Sequence, residues 1–465
     1  MHSLEKINEY VASVCQQIRW KKAHSRISEE ITDHITDCRD AYKEQGFDEQ
    51  TATEKAVFDT GDALLVGTQL DRIHRPKPQW GMFIWIAVFL LLGIYFSFFL
   101  LGSGDAYIYR GAHSRLIWTA VGAVIMLVSY FADFSILGKY PARIFIGAAL
   151  LIILLFQFNA LGIPANATNL RSLTLVFPVM LVPAIFAAKN KGYPGLIMCL
   201  LAYVFLCWAT LATPGFTAFA HFIPVGISLL VFAVLRGWFG VKRLQGYLMV
   251  VVPHIIVLAI FLWTNIRISG SHFTGRIITI LNPHTDSLGF GFLATQARLL
   301  LNNAVMLGEG NPGQFYETFW PMRYMNQMLH ADFLLTAVIF RFGWLAFMVL
   351  LCALLFFIAK AVARSFKQKS SLGFFVSIAI IMTFSMQVLN YVIFNLGFPI
   401  MIISLPLISP GNTAIVVNMG LMGFMLSVFR TGDAFVDRGI SLPTKNGDFL
   451  SWNDGRLTIN FKART

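Results

Sequence analysis

Between residues 80 and 430 the sequence is a succession of apolar runs, most of them long enough to cross a lipid bilayer. A bilayer core of about 30 Å needs roughly 20 helical residues, because a helix rises about 1.5 Å per residue. Inside lipid the backbone must satisfy its own hydrogen bonds, which favours the α-helix for such runs. The sequence therefore predicts an all-α, polytopic membrane protein.

Ten such runs can be separated, which predicts about ten transmembrane helices. The composition agrees with burial in lipid, since 56% of the residues are hydrophobic and only 13% are charged. That charged share is about half of what an ordinary soluble domain carries. The runs are Trp80–Leu101, Leu116–Leu137, Ile144–Leu161, Leu173–Ala188, Pro194–Ala212, Phe216–Leu235, Tyr247–Trp263, Phe333–Ile358, Gly373–Phe398 and Ile408–Phe429.

The first 72 residues differ from the rest, because charged residues occur throughout them. Their apolar residues recur at helical spacing, which predicts a small soluble helical bundle over residues 1–72. Residues 73–79 contain two prolines and two basic residues, typical of a stiff basic linker. We assign 80–430 to the membrane domain and 431–465 to a C-terminal tail. The recurring residues are Ile7, Val11, Val14 and Ile18, then Ile27, Ile31 and Ile35.

Basic residues between the predicted spans fall mainly on one side of the membrane. Eleven occupy alternate short loops, while the short loops of the other side hold only Arg110, Arg115 and Arg171. Because basic loops stay on the inside, we expect both termini to be cytoplasmic. The chain has 36 Lys and Arg residues against 24 Asp and Glu residues. Loop charge and contact with membrane lipids explain this excess of basic residues, so no nucleic acid partner is expected. The eleven are Lys139, Arg143, Lys189, Lys191, Arg236, Lys242, Arg243, Lys360, Arg364, Lys367 and Lys369.

One predicted external segment, residues 265–332, is far longer than the other outer loops. Loops of this length are usually functional or disordered. This one is rich in aromatic and aliphatic residues, so we expect helices that lie at the outer interface or re-enter the membrane. Its four acids, Asp286, Glu309, Glu317 and Asp332, stand out in a stretch from residue 80 to 465 that holds only ten.

Asp332 stands directly before the apolar residues that open the eighth predicted span. Two interpretations are open from the residues alone. An Asp before an apolar helix is commonly an N-cap, whose carboxylate accepts hydrogen bonds from the first free amides. A carboxylate at the outer mouth of a helix is also a candidate general base.

Three groups of residues, in order, resemble motifs of the SEDS family, the RodA/FtsW/SpoVE membrane proteins of bacterial wall synthesis. Residues 281–291, followed by Gln296 and by Gly308-Glu309-Gly310, are similar to the family's long external loop. His330-Ala331-Asp332-Phe333 resembles its His-Thr-Asp-Phe motif. Asn395-Leu396-Gly397 and residues 405–413 resemble its closing Leu-Pro-(Leu/Phe)-Ile-Ser-Tyr-Gly-Gly-Ser signature. The first 72 residues are similar to a helical domain that precedes some permease-like proteins.

The resemblance implies a peptidoglycan glycosyltransferase that polymerises lipid II at the outer leaflet, partnered by a class B penicillin-binding protein. The family's essential aspartate falls on Asp332, as the base that takes a proton from the acceptor sugar. The leaving diphosphate carries negative charge that nearby cations would stabilise. Whether a divalent metal ion assists them as a cofactor is left open. The five cysteines show no metal-ligand spacing, so no metal ligands are assigned. The residues expected to bind substrate are His330, Arg267, Arg276, Arg298, Arg323 and Gln296.

The chain also departs from the family pattern. Asn326-Gln327-Met328-Leu329 lacks the carboxylate that precedes the family's His-Thr-Asp, and Pro410-Gly411-Asn412 replaces Tyr-Gly-Gly. The sequence therefore indicates a divergent member, and two alternatives to the enzyme stay open. One is a flippase or transporter for the lipid-linked precursor. The other is a non-catalytic scaffold that recruits a wall-synthesis transpeptidase.

Overall fold

The structure is a computed structural model of the full chain. It describes residues 2–76, 78–99, 106–160, 167–211, 213, 217–268, 278–279, 282, 291–311, 333–398, 403–432, 450–453 and 456–459. The chain divides into two compact units, whose main parts are Met1–Pro78 and Gln79–Val428. Both main parts are helical in their described residues. A short antiparallel hairpin, Leu450–Asn453 (β1) with Arg456–Ile459 (β2), lies near the C-terminus.

Four helices form the N-terminal unit, as expected for a small helical bundle. The apolar residues that recur at helical spacing in α1 and α2 are all at most 8% exposed and form one core, to which α3 contributes Ala56. Asp48 caps α3 by accepting hydrogen bonds from the amides of Gln50 and Thr51. The helices are His2–Gln16 (α1), Lys21–Glu44 (α2), Glu49–Thr60 (α3) and Ala63–His74 (α4).

The second unit is built from long helices, and all ten predicted runs contain helix. Within the described residues, eight segments are long and apolar enough to cross a membrane. The two other predicted runs, which begin at Ile144 and Tyr247, lie within helices of 20 and 26 residues. The helices are Trp80–Phe99 (α5), Ala106–Phe131 (α6), Ile136–Lys139 (α7), Pro141–Ala160 (α8), Ala167–Leu173 (α9), Phe177–Ala187 (α10), Gly192–Leu211 (α11), Thr217–Leu235 (α12), Arg243–Ile268 (α13), Phe292–Asn302 (α14), Leu334–Phe342 (α15), Trp344–Phe366 (α16), Ser371–Asn395 (α17) and Asn412–Thr431 (α18). A 3₁₀ turn, Thr174–Val176, joins α9 to α10.

Helix α17 is the central helix of this bundle. In its most apolar window 78% of the residues are buried, against 22–67% for the other seven candidate spans. It packs against α10, α12, α15 and α16. Gln387 on α17 and Asn418 on α18 exchange two amide hydrogen bonds of 2.9 and 3.1 Å. Buried amide pairs of this kind fix how two membrane helices face each other.

The eighth predicted run, Phe333–Ile358, is divided in two by Gly343. Helix α15 ends before this residue and α16 begins after it, because Gly343 has a φ of 91°, in the left-handed region that glycine tolerates. A Cβ on Gly343 would lie 2.5 Å from the carbonyl oxygen of Met306. The expectation of one continuous span is therefore wrong: α16 is the membrane-length helix, and α15 is a separate buried helix.

The described part of the long external segment packs against α15, and it includes a helix, as expected. Helix α14 buries Ala294, Ala297 and Leu300 on one face. After it, the chain runs beside the break at Gly343. The amides of Gly308 and Gly310 donate to carbonyl oxygens of α15, and the Trp344 and Leu345 amides donate to carbonyls of residues 305 and 306.

Candidate active site

The first turn of α15 follows the His-Ala-Asp-Phe motif directly, and it meets the C-terminal end of α17. The first amides of a helix have no partner within the helix. Here the Leu334 amide donates to the Tyr391 hydroxyl at 3.2 Å, and the Thr336 amide donates to the side-chain oxygen of Asn395 at 3.1 Å. Two amides in the first turn of α15 therefore have acceptors on α17.

Asn395 holds this turn through more than one contact. Its backbone carbonyl accepts a hydrogen bond from the Thr336 hydroxyl at 2.7 Å, and its side-chain amide donates to the Tyr391 carbonyl at 3.0 Å. Phe333, the last residue of the motif, stacks on Phe394 with ring centroids 4.7 Å apart. All these side chains are at most 4% exposed. The start of α15 is therefore fixed to the end of α17 by both polar and aromatic contacts.

The Asn-Leu-Gly motif ends α17 in a Schellman motif. Gly397 has a φ of 89°, its amide donates to the Phe394 carbonyl, and the Phe398 amide donates to the Ile393 carbonyl. Arg298 of α14 donates from Nε to the Gly397 carbonyl at 3.0 Å, and its guanidinium lies 4.6 Å from the Phe398 ring centroid. A Cβ on Gly397 would lie 2.5 Å from Arg298 Cγ, so this close approach requires glycine. The external segment is thereby joined to the same end of α17.

Arg115, near the start of α6, is a buried arginine with only 2% of its surface exposed. Its Nη2 donates to the Leu407 carbonyl at 2.9 Å, whereas Nε and Nη1 have no hydrogen-bond partner among the residues that the structure describes. Gly93 on α5 leaves room for the guanidinium, since a Cβ there would collide with Nη2.

A guanidinium remains charged in proteins, and removing it from water without a counter-charge costs several kcal/mol. A buried charge with free donors therefore needs an explanation in function rather than in stability. The two unbonded nitrogens of Arg115 are suited to an anionic ligand, for which arginine provides several donors in a fixed plane.

The closing motif, residues 405–413, is attached to α6 at two points. Leu407, whose φ of 68° is rare for a residue with a side chain, presents its carbonyl to Arg115. Asn412 donates from its side-chain amide to the Ser114 hydroxyl at 3.2 Å. Ser114 and Arg115, which are adjacent on α6, therefore bind Asn412 and Leu407 of the closing motif.

Glu309 of the external segment faces Arg341 at the end of α15, with 3.9 Å between Oε1 and Nε. The two side chains are 57% and 29% exposed, so this pair contributes little to stability. The contact gives Arg341, an unusual charge in an apolar run, an external acid as its neighbour.

Three of the seven predicted site residues lie within the described part of the chain. Arg267 is exposed in the last turn of α13, and Gln296 is half-buried on α14. Arg298 contacts the end of α17, a structural role that the sequence did not suggest. The functional roles of all seven stay predictions. Four of them lie outside the described residues: Asp332, His330, Arg276 and Arg323.

Sequence reasoning missed Arg115 and Tyr391. It placed Arg115 in a short outer loop, because the apolar run was taken to begin at Leu116, whereas α6 begins at Ala106. The available signal was an arginine directly before a long apolar run, where a charge is a functional candidate. Tyr391 gave no signal, since a tyrosine inside an apolar helix is ordinary.

The described residues contain no group of three or more His, Cys, Asp or Glu side chains that could hold a metal ion. Asp286, Glu317, His330 and Asp332 lie outside the described residues. All five cysteines are free thiols. The cofactor therefore stays unassigned.

The sequence profile of a family of cell cycle proteins, FtsW/RodA/SpoVE, matches residues 175–433. The match covers more than half of the chain and includes the motifs that meet around α17. The chain belongs to the FtsW/RodA/SpoVE family. This confirms the SEDS resemblance read from the sequence and the polytopic membrane character of the chain.

Relatives within the FtsW/RodA/SpoVE family extend the match beyond these residues. The peptidoglycan glycosyltransferase MrdB of Escherichia coli K12 is 25% identical over 334 residues, which cover 66% of this chain and 83% of MrdB. The FtsW of Buchnera aphidicola subsp. Schizaphis graminum, described as a probable peptidoglycan glycosyltransferase, is 25% identical over 197 residues. That match covers 41% of this chain and about half, 52%, of the relative.

A solved structure shares the fold of this family member. It is described as "Structural coordination of polymerization and crosslinking by a peptidoglycan synthase complex". One of its chains superposes with a TM-score of 0.56 and 16% identity, over 78% of this chain and 99% of that chain. At this identity the likeness concerns the fold alone.

Proposed function

We propose that this protein is a membrane glycosyltransferase that polymerises lipid II, the lipid-linked peptidoglycan precursor, at the outer leaflet of the bacterial plasma membrane. It would serve wall synthesis in cell shape, division or sporulation. Family membership and the peptidoglycan glycosyltransferase names of its relatives support the reaction. The single observation that carries the proposal is that the helix turn after the His-Ala-Asp-Phe motif is hydrogen-bonded to Tyr391 and to Asn395 of the Asn-Leu-Gly motif.

Asp332 is the proposed general base. Its carboxylate takes the proton from the 4-hydroxyl of the acceptor sugar as that oxygen attacks the anomeric carbon of the donor. The bond between the anomeric carbon and the phosphate oxygen breaks, and its electron pair leaves with undecaprenyl diphosphate. General-base assistance of this kind typically contributes about 10²–10⁴-fold to a rate. His330 and Gln296 are proposed to bind the substrate beside it.

The leaving diphosphate develops negative charge, which cations stabilise best where water is excluded. Arg115 suits this role because it is buried and two of its nitrogens have no partner. Arg267, Arg276 and Arg323 are proposed to contact the diphosphate or the headgroup from the external side. Arg298 is included with them, although its contact with Gly397 indicates a role in holding the external segment.

The proposed topology places the prefix, residues 1–72, the linker, residues 73–79, and the tail, residues 431–465, in the cytoplasm. The membrane domain is then residues 80–430, with segment 265–332 outside. The uneven distribution of basic loops supports this orientation. A class B penicillin-binding protein is the proposed partner, since it would cross-link the glycan that the synthase makes.

The test is polymerisation of lipid II by the purified full-length protein in proteoliposomes, alone and with a class B penicillin-binding protein. The expected result is glycan of many repeats, released together with undecaprenyl diphosphate. Transport of lipid II across the bilayer without polymer would contradict the proposal and favour the flippase. Binding of the transpeptidase without either activity would favour the scaffold.

A further inference from the structure

We infer that Asn395 is a positioning residue for the catalytic aspartate. It would hold the first turn of α15, and through it the chain at Asp332, in one orientation. The inference rests on the proposed function of Asp332, but the contacts that carry it are those of described residues. It assigns a role to the Asn of the Asn-Leu-Gly motif, which the proposed chemistry does not use.

The first step is the geometry of two helix ends. Helix α15 starts where α17 stops, so the free amides of one end lie beside the free carbonyls of the other. Asn395 satisfies both: it accepts the Thr336 amide with its side-chain oxygen and the Thr336 hydroxyl with its backbone carbonyl, at 3.1 and 2.7 Å. Tyr391 accepts the Leu334 amide one turn earlier on the same face.

The second step is that Asn395 itself cannot turn away. Its side-chain amide donates to the Tyr391 carbonyl at 3.0 Å, which fixes the orientation of the oxygen that Thr336 uses. Asn395, Thr336 and Tyr391 are each at most 1% exposed, so water cannot replace these bonds. Breaking one of them leaves a buried polar group without a partner, which is far costlier than at the surface.

The third step connects this network to the base. Phe333 is 4% exposed and stacks on Phe394, the neighbour of Asn395 on α17. Asp332 directly precedes Phe333 in the sequence, so Phe333 is the described residue nearest to it along the chain. A base that accepts a proton must be placed to within a few tenths of an ångström, and a misplacement of about 1 Å can cost roughly 100-fold in rate.

A second amide pair in the same bundle gives a matched control. Gln387 and Asn418 are also fully buried and also bond through their side chains, but their mutual hydrogen bonds join α17 to α18. Removing either Asn side chain leaves a buried amide or backbone group unsatisfied, so the two losses of stability should be similar. Only the loss of Asn395 should release α15.

The experiment compares Asn395→Ala, Thr336→Val, Thr336→Ser and Asn418→Ala in the full-length protein. The first measurement is hydrogen exchange of the amides at Leu334 and Thr336. We expect exchange there to become about tenfold faster or more in Asn395→Ala, and unchanged in Asn418→Ala. The second is lipid II polymerisation: kcat should fall about tenfold or more in Asn395→Ala and Thr336→Val, with little change in KM.

Thr336→Ser keeps the hydroxyl and should keep the wild-type kcat, whereas Thr336→Val keeps the shape and loses the bond. Unchanged exchange at Leu334 and Thr336 in Asn395→Ala overturns the inference. So does faster exchange with an unchanged kcat in a protein whose Asp332→Asn variant is inactive. If Asp332→Asn polymerises at the wild-type rate, the proposed base is wrong and the positioning role fails with it, even where the exchange data show that Asn395 anchors α15.

Discussion

The side chain of Arg115 is charged and buried. Among the described residues one hydrogen bond to it is observed, from Nη2 to the Leu407 carbonyl. Such a residue lowers stability, because the cost of burying the charge exceeds what one neutral acceptor returns. Its retention is explained if an anionic substrate group supplies the missing partners. Stability and function should therefore respond in opposite directions when the charge is removed.

We predict that Arg115→Met raises the thermal unfolding midpoint of the purified protein by several degrees, since replacing buried charges by apolar groups often stabilises by about 1–4 kcal/mol. Lipid II polymerisation should fall at least about tenfold. Arg243→Met, at an exposed position at the start of α13, is the control and should leave both quantities unchanged. An Arg115→Met protein that is both less stable and fully active would refute this account of the residue.

At the scale of elements, the break between α15 and α16 is what allows the external segment to reach α15. The backbone beside Gly343 bonds to residues 305–310, and the glycine's missing side chain makes room for them. Gly308 has a similar positive φ of 96°, but open space where its Cβ would be. Substituting each glycine in turn therefore distinguishes the cost of backbone strain, present at both positions, from the cost of steric collision, present only at Gly343.

Gly343→Ala should destabilise the protein by more than the roughly 1–3 kcal/mol of backbone strain alone, because the new methyl group meets backbone atoms that cannot move aside cheaply. Gly308→Ala should show the backbone part only. Thermal unfolding in detergent measures both. Equal midpoints for the two variants would mean that the external segment does not pack against Gly343 as described.

The polytopic all-α character and the helical bundle before the membrane domain could be predicted, because length and periodicity reflect the bilayer thickness and the helix repeat. The break at Gly343 could not be, since apolar residues continue on both sides of it and the reason for the glycine lies at Met306, distant in sequence. The motifs that carry the site could be recognised in order along the chain. Their meeting at Asn395 and Tyr391 depends on tertiary contacts that spacing does not encode.

At the scale of the whole molecule, the N-terminal unit has a core of its own, made from residues of α1, α2 and α3. A domain with a separate core can be removed without exposing the interior of its neighbour. The same domain is the feature of this chain that the family resemblance does not explain. We therefore expect it to act in regulation or partner binding.

Deletion of residues 1–72 should leave the membrane domain inserted and its thermal unfolding midpoint within a few degrees of the full chain. Binding to the class B penicillin-binding protein, or polymerisation in its presence, should change. Co-purification and the reconstituted assay measure these effects. Failure of the truncated chain to insert into the membrane would show that the prefix is part of the fold.

The central claim is that a carboxylate at residue 332 accepts the proton of the attacking sugar, and the initial rate of lipid II polymerisation by Asp332→Asn tests it most directly. Asn keeps the size and removes the basicity, so the rate should fall about 10²–10⁴-fold with protein folding unchanged. Glu309→Gln, which removes an exposed acid of the same external segment, should polymerise as the wild type does. If Asp332→Asn matches the wild-type rate, the enzymatic account is contradicted and the membrane architecture alone remains.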